Sequence, residues 1–345
     1  IGGVAGGAKR LPTWPMSFAS YPETQAQAEA ALARAKKQPK GALGRWLKLA
    51  FLKGRYNWAR RYFAAHPSEI ALCWQGLTGT RRAFMQGVQD AGAQRLFAEL
   101  APLPGRLTLD VEGVNAESSV PRDAAFYDAI APDTTLLEEL AGQFKARAPR
   151  RADVGQGDGD FSSKDKFLFV PLQVHDDSQL VLFAGWCGGL EGFIAALAEA
   201  SANLPEGWHL RLKEHPSAKR AFTDEIKAHI AAGARLVLDN ATDSFAQIAA
   251  SQGVVTVNSS MGLQAMFFDK PVVLTGQAFW SIEGVAEKAK SQDELSQLCA
   301  DAATLRFDKA LRERFLTWLA RDYYVEFNGE TLANPEHVRG LITNK

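Results

Sequence analysis

Residues 253–274 read GVVTVNSSMGLQAMFFDKPVVL, and this one stretch carries the chain's building unit. The run 253–257 is apolar without alternation, which suits a strand buried on both faces. Asn258, Ser259 and Ser260 supply turn and cap chemistry, residues 260–268 follow a helical period, and Pro271 opens a second apolar run at 271–274. Strand, polar turn, helix and strand at this spacing make a parallel β-α-β unit.

The alternation continues on both sides. Residues 166–174 (KFLFVPLQV), 208–213 (WHLRLK) and 234–238 are predicted strands. Helical patterns fall at 192–202, 222–232, 243–250 and 291–302. The fold class is therefore α/β with a doubly wound parallel sheet, in which ligands bind at the carboxyl ends of the strands. The N-terminal half repeats the rhythm less sharply, with strands at 69–74, 95–98 and 106–109 and a helix at 81–91. Residues 146–163 (ARAPRRADVGQGDGDFSS) are charged, Gly-rich and poor in large apolar side chains, the composition of a linker. The expected domains are 1–150 and 164–305, followed by a tail, 306–345. Its aromatic-rich part, 309–327, is read as a helix packing back over the first domain.

The chain has 345 residues, 46% hydrophobic and 23% charged, enough for two domains. A formal net charge of zero gives no global field favouring nucleic acid or membrane, and no nucleic-acid partner is expected. The three cysteines are widely spaced with no CxxC pair, which excludes a disulfide framework and a cysteine zinc site and fits a reducing compartment. No stretch approaches the roughly 18 apolar residues of a spanning helix. Ile1 stands where an initiator methionine is usual, and residues 2–8 are small but lack the apolar length of a secretory core, so a soluble cytoplasmic protein is expected.

Four constellations could carry chemistry. Lys213, His215 and Pro216 end one predicted strand; Asn258, Ser259, Ser260 and Gly262 lie where another turns into a helix. Ammonium, imidazole, hydroxyls and a helix start together suit a phosphate. No GxGxxG or GxxxxGK[ST] occurs, so neither a dinucleotide site nor a P-loop is supported. The second set is acidic: Asp110 and Glu112 after a strand of the first domain, Asp176 and Asp177 after the first strand of the second. Two such carboxylates can divide nucleophile and general-base roles; acids also cap helices and solvate turns. The third is the polar loop 113–127, in which Asn115, Ser118, Ser119 and Arg122 could hold a sugar's hydroxyls or carboxylate. The fourth is residues 34–61, with ten Lys and Arg and no acid, interleaved with Trp46, Leu47, Phe51, Tyr56 and Trp58. Such a stretch, the core of a basic aromatic helical segment at 34–63, suits an anionic bilayer surface, nucleic acid or a solvated helix face, of which the first is the expectation.

These motifs resemble the bacterial capsule-polysaccharide synthesis family, which includes the β-Kdo transferases. The likeness rests on residues 107–127 (LTLDVEGVNAESSVPRDAAFY), 169–180 (FVPLQVHDDSQL), 213–216 (KEHP) and 254–284, of which the last is quite specific. The HisPro and SerSer elements are also similar to those of CMP-sugar sialyltransferases. The resemblance implies a GT-B architecture, two Rossmann-like domains with the active site in the cleft between them. It implies that His215 and Lys213 meet the phosphate of CMP, with Ser259 and Ser260 beside them. Gln173 falls in the matching segment before the acids and is counted with the substrate contacts. Asp177 or Asp176 would stand at the anomeric carbon, and Asp110 or Glu112 would activate the acceptor hydroxyl. The implied reaction transfers Kdo from CMP-Kdo to a lipid or glycolipid at the inner face of the cytoplasmic membrane, with no cofactor and no metal. Another nucleotide sugar (CMP-sialic acid, a UDP- or a GDP-sugar), or a non-catalytic capsule assembly or export role on the same fold, stays open.

Overall fold

Strands that are apolar along their whole length need helices on both faces of their sheet, and the chain supplies them between most of its strands. A computed structural model describes residues 15–145, 150–159, 161, 166–329, 332, 338 and 340. Residues 2–8, and 146–149, 160 and 162–163 of the predicted linker, lie outside the described residues. The chain divides into two units. Unit 1 comprises residues up to 101 with 105–120 and those from 321 on; unit 2 comprises 102–104 and 121–320.

Unit 1 opens with α1 (Thr24–Ala33) and α2 (Gly41–Ala65), followed by β1 (Ala71–Trp74), α3 (Gly79–Asp90), β2 (Arg95–Leu100) and β3 (Arg106–Asp110). The second half of α2 buries Leu52, Tyr56, Ala59 and Phe63, one stripe at helical spacing. A Cβ on Gly87 of α3 would come 2.5 Å from the Tyr56 carbonyl oxygen, so only glycine lets α2 and α3 approach this closely. Among the described residues no helix is long and apolar enough to cross a membrane.

Unit 2 follows with α4 (Thr134–Gln143), β4 (Lys166–Pro171), α5 (Ser178–Phe183), α6 (Leu190–Ala200), β5 (Trp208–Lys213), α7 (Thr223–Ala231) and β6 (Leu236–Leu238). It continues with α8 (Ser244–Ala250), β7 (Gly253–Thr256), α9 (Ser260–Met266), β8 (Val272–Leu274), β9 (Glu287–Lys288), α10 (Gln292–Ala300) and α11 (Lys309–Trp318). Its six strands are all parallel, in the order β6-β5-β4-β7-β8-β9. The chain winds outward from β4 to one side and then from β7 to the other, the arrangement of a dinucleotide-binding sheet. Phe167, Phe169, Val170, Leu210, Leu212, Val254 and Val255 are all buried, as continuous apolar strands require.

Three expectations need correction. The sheet of unit 1 is mixed rather than Rossmann-like: β1 and β2 are parallel, but β3 runs antiparallel to β2. Only residues 101–105 join β2 to β3, far too few for a crossover helix. The tail is not helical through 327. α11 ends at Trp318, a π-turn follows at Leu319–Tyr323, and β10 (Val325–Glu326) adds antiparallel to β3. α11 itself packs within unit 2, where the rings of Phe315 and Tyr127 lie 5.3 Å apart. The described part of the linker is built into unit 2. Val154 is buried, and the N–H groups of Gly155 and Gly157 donate to the carbonyls of Asn240 (2.7 Å) and Ala241 (2.9 Å). The division falls between Val120 and Pro121 instead.

Candidate active site

In a sheet of this order the strand sequence reverses between β4 and β7, and the groups after their carboxyl ends define the site. Gln173, after β4, donates from Nε2 to Asn258 Oδ1 (3.0 Å), after β7. The Asn258 amide donates in turn to the carbonyls of Gln179 (3.1 Å), Phe183 (3.2 Å) and Gln277 (3.2 Å). Both residues are buried. Gln173 and Asn258, predicted as substrate and nucleotide contacts, are thus the hydrogen-bonded floor of the switch point.

The segment after β5 divides its charged residues sharply. Lys213 is 2% exposed, and its ammonium donates to the carbonyls of Gly155 (2.9 Å), Asn240 (3.0 Å) and Thr242 (2.6 Å). An ammonium has three donors, and all three are taken up, so the predicted phosphate contact does not match the observed side chain. Burial holds its pKa below the ordinary lysine range. Glu214, which the sequence reading passed over, is equally buried. It accepts from Thr223 Oγ1 (2.7 Å), Asn240 Nδ2 (2.9 Å), Arg151 Nη2 (3.1 Å) and the Phe222 N–H. Burial raises its pKa, but these donors outweigh burial and hold the carboxyl below its ordinary range. His215 remains half-buried. Its Nδ1 accepts from the Ser217 N–H (3.0 Å), so the neutral ring carries its proton on Nε2. Pro216 is buried, and its carbonyl receives the Arg150 N–H (3.0 Å).

The segments after β4 and β7 divide in the same way. Asp177 is the N-cap of α5, accepting from the Gln179 N–H at Oδ1 (2.8 Å), while Oδ2 has no hydrogen-bond partner among the described residues. Asp176 is exposed. Close by, His175 Nδ1 and Gln179 Nε2 are buried without partners among the described residues, a signal that no sequence pattern announced. Ser259 caps α9, its Oγ accepting from the Met261 N–H (3.2 Å), whereas Ser260 is exposed. Gly262 admits Trp280 rather than a ligand: a Cβ there would lie 2.8 Å from that indole.

In unit 1, Asp110 is 1% exposed and accepts at both oxygens. Oδ1 receives the N–H groups of Glu112 (2.7 Å) and Gly113 (3.0 Å). Oδ2 receives the Ser119 N–H, the Ser119 hydroxyl and the Tyr323 hydroxyl, each at 2.8 Å. Burial, and then the Asp110 charge, push the Tyr323 phenol far above its ordinary pKa, which keeps it a donor. Asp110 is therefore a loop anchor with its acceptor capacity in use, and Glu112 is the exposed acid of the pair. Asn115 is held by Glu99 (2.8 Å) and Ser118 is buried, so neither matches a freely offered sugar contact. Arg122 falls in unit 2, which splits the predicted loop.

The family described as capsule polysaccharide biosynthesis protein matches residues 137–324. The chain belongs to that family. It is 29% identical over 237 residues to Protein FixF of Sinorhizobium fredii, covering 68% of this chain and 55% of FixF. It is 27% identical over 130 residues to the capsule polysaccharide modification protein LipB of Neisseria meningitidis, covering 36% of this chain and 31% of LipB. The chain thus spans about half the length of FixF and less than a third of LipB. Among solved structures, the β-Kdo 2,7 transferase of Thermosulfurimonas dismutans KpsC superposes with a TM-score of 0.53 at 15% identity, over 84% of this chain and 89% of that one. That likeness establishes the GT-B-like α/β fold of this capsule-synthesis protein.

Proposed function

We propose that the chain is a glycosyltransferase of capsule synthesis that moves Kdo from CMP-Kdo to a lipid or glycolipid acceptor. The observation that carries this reading is the strand order β5-β4-β7. The segments after these three neighbouring strands each carry one side chain that this reading puts to work, beside polar residues such as Lys213, Gln173 and Ser259 that are bound into the fold. After β5 it is His215, after β4 Asp177, after β7 Ser260. Adjacent strands lie about 5 Å apart, a spread that suits one sugar phosphate. In this reading the imidazole Nε2–H and the Ser260 hydroxyl stabilise the phosphate as it leaves. Asp177, held by its cap bond, attacks the anomeric carbon through Oδ2. The bond from that carbon to the phosphate oxygen breaks, and CMP departs with the electron pair. The acceptor oxygen then attacks the same carbon and releases Asp177, its proton passing to Glu112.

The membrane partner has its own support. Leu43, Trp46 and Leu47, at i, i+3 and i+4 on the first turns of α2, are 71%, 64% and 54% exposed. With the surrounding lysines and arginines they suit an anionic bilayer, the inner face of the cytoplasmic membrane in this reading.

Release of CMP from CMP-Kdo tests the proposal. Asp177→Asn should lower turnover by about 10³-fold or more and leave CMP binding intact, while His215→Ala should weaken CMP. CMP alone should raise the melting temperature more than UDP or GDP. Normal turnover by Asp177→Asn would sink the mechanism.

A further inference from the structure

Unit 1 holds a second polar cluster, which no step above uses, where β1 turns into α3. Gln75 follows β1 with its N–H on the Ala98 carbonyl (2.7 Å) and a φ of +63°, a conformation non-glycine residues adopt only when their surroundings fix it. Its side chain is buried, with the whole residue 5% exposed. Oε1 accepts from the Leu77 N–H (3.2 Å) and the Thr78 hydroxyl (3.0 Å). These bonds hold the amide over the start of α3 and leave Nε2 a buried donor without a partner among the described residues. Arg82 lies at the start of α3, and side chains on a helix lean back toward its N-terminus. Its Nε is also buried and unpartnered. Arg34 arrives from the end of α1. Its neighbour Ala35 lies 3.7 Å from where a Cβ on Gly79, the first residue of α3, would stand. One Arg34 nitrogen pairs with Glu117, while Nη1 is buried without a partner.

All three orphan atoms are donors, which calls for an acceptor-rich occupant. α3 adds to the demand. It is twelve residues long, the Thr78 side chain caps none of its N–H groups, and those of Gly79 and Thr80 donate to no described residue. The cluster is also short of negative charge. Arg82 is held below the ordinary arginine range by burial first and then by the like charge of Arg34, against which Glu117 acts. Arg34 keeps 29% of its side chain exposed, so a solute can reach it.

We propose that Gln75, Arg82 and Arg34, with the N-terminus of α3, bind a carboxylate or phosphate group. Its assignment to the acceptor rests on the transferase reading, in which the nucleotide belongs to unit 2; the binding of an anion does not. The test is calorimetric titration of the full chain with glucuronate, a sugar carboxylate, and with glycerol 3-phosphate, a lipid-type phosphate, against sodium chloride at equal ionic strength. At least one should bind, and the tighter names the source of the anion. Gln75→Glu keeps the Oε1 contacts and replaces the orphan donor with an acceptor, and Arg82→Gln removes the charge. Each should weaken binding about tenfold or more. Glu117→Gln should tighten it by freeing Arg34. If Gln75→Glu does not fold, Arg82→Gln and Glu117→Gln decide the matter. Binding no stronger than chloride, or unchanged in these variants, would overturn the site. CMP affinity, measured on the same samples, should be the same in all variants. Its absence in the parent protein would sink the transferase reading and leave this result standing.

Discussion

The strand ends at β5 and β3 are built alike from opposite charges. At β5, Lys213 turns inward and gives its three donors to backbone carbonyls, and His215 two residues on is only half-buried. At β3, Asp110 turns inward and accepts five hydrogen bonds, and Glu112 two residues on is exposed. The difference lies in what each buried charge ties together. Lys213 joins loops within unit 2. Asp110 gathers the loop after β3 and, through Tyr323, the chain's return to unit 1 after a separation of 213 residues. In both places the charge nearest the strand organises the backbone, and the transferase reading proposed above assigns the chemistry to the residue two positions on.

The largest effect that could break this parallel is on turnover. Glu112→Gln should lower CMP release in the presence of acceptor by about 10²–10⁴-fold, the usual worth of a general base, with an unchanged melting temperature. Asp110→Asn should act chiefly on folding. If Asp110→Asn lost turnover at full stability while Glu112→Gln kept it, the roles would be reversed.

Next in size are the stability losses, read by denaturant unfolding. Lys213→Met strips the donor from three carbonyls and should cost about 3 kcal/mol. Asp110→Asn keeps the acceptor facing Glu112 and Gly113, and hydroxyls can rotate to meet its amide. The Ser119 N–H loses its partner, and the expected loss is about 2 kcal/mol. Neither variant should shift CMP affinity beyond about twofold, whereas His215→Ala should weaken it about tenfold with little change in stability. A Lys213→Met protein that folds normally and loses CMP would restore the ammonium to the phosphate.

Unit 2 was legible because its strands are apolar throughout and its helices fall between them at regular spacing. In unit 1 the strands β1 to β3 and the helix α3 were legible, but the return of the chain was not: a two-residue strand, Val325–Glu326, carries no periodic signal, and the break after Trp318 sits inside an aromatic run that keeps a helical look. The candidate residues were legible as a set of positions. Lys213 and Asp110 end strands, and His215, Ser259, Ser260, Glu112, Asp176 and Asp177 follow strands at their carboxyl ends. What could not be read was direction. Residue type says that Lys213 carries a charge and Ser259 a hydroxyl; only the three carbonyls around one and the Met261 N–H beside the other show that these groups are already taken. Gly262 shows the same limit: its place at the turn into α9 was legible, and the indole of Trp280 packed against it was not.

The smallest effect sharpens the comparison through pH. Burial holds Lys213 below the ordinary lysine value of 10.5 in the folded protein. Between that depressed value and 10.5 the unfolded chain binds the proton more than the folded one does, so stability from this group rises with pH across the window. As pH falls through the folded value the gain is lost, because the folded state must then bury a charge. Lys213→Met has no such proton. The stability of the parent protein minus that of Lys213→Met should therefore increase as pH is raised toward 10.5, and taking the difference cancels the buried tyrosines and cysteines common to both. Urea unfolding at a series of pH values up to that point measures it. A gap that narrowed with rising pH would mean that the ammonium is favoured in the fold, as a lysine facing a phosphate site would be, and the division of labour at β5 would fail.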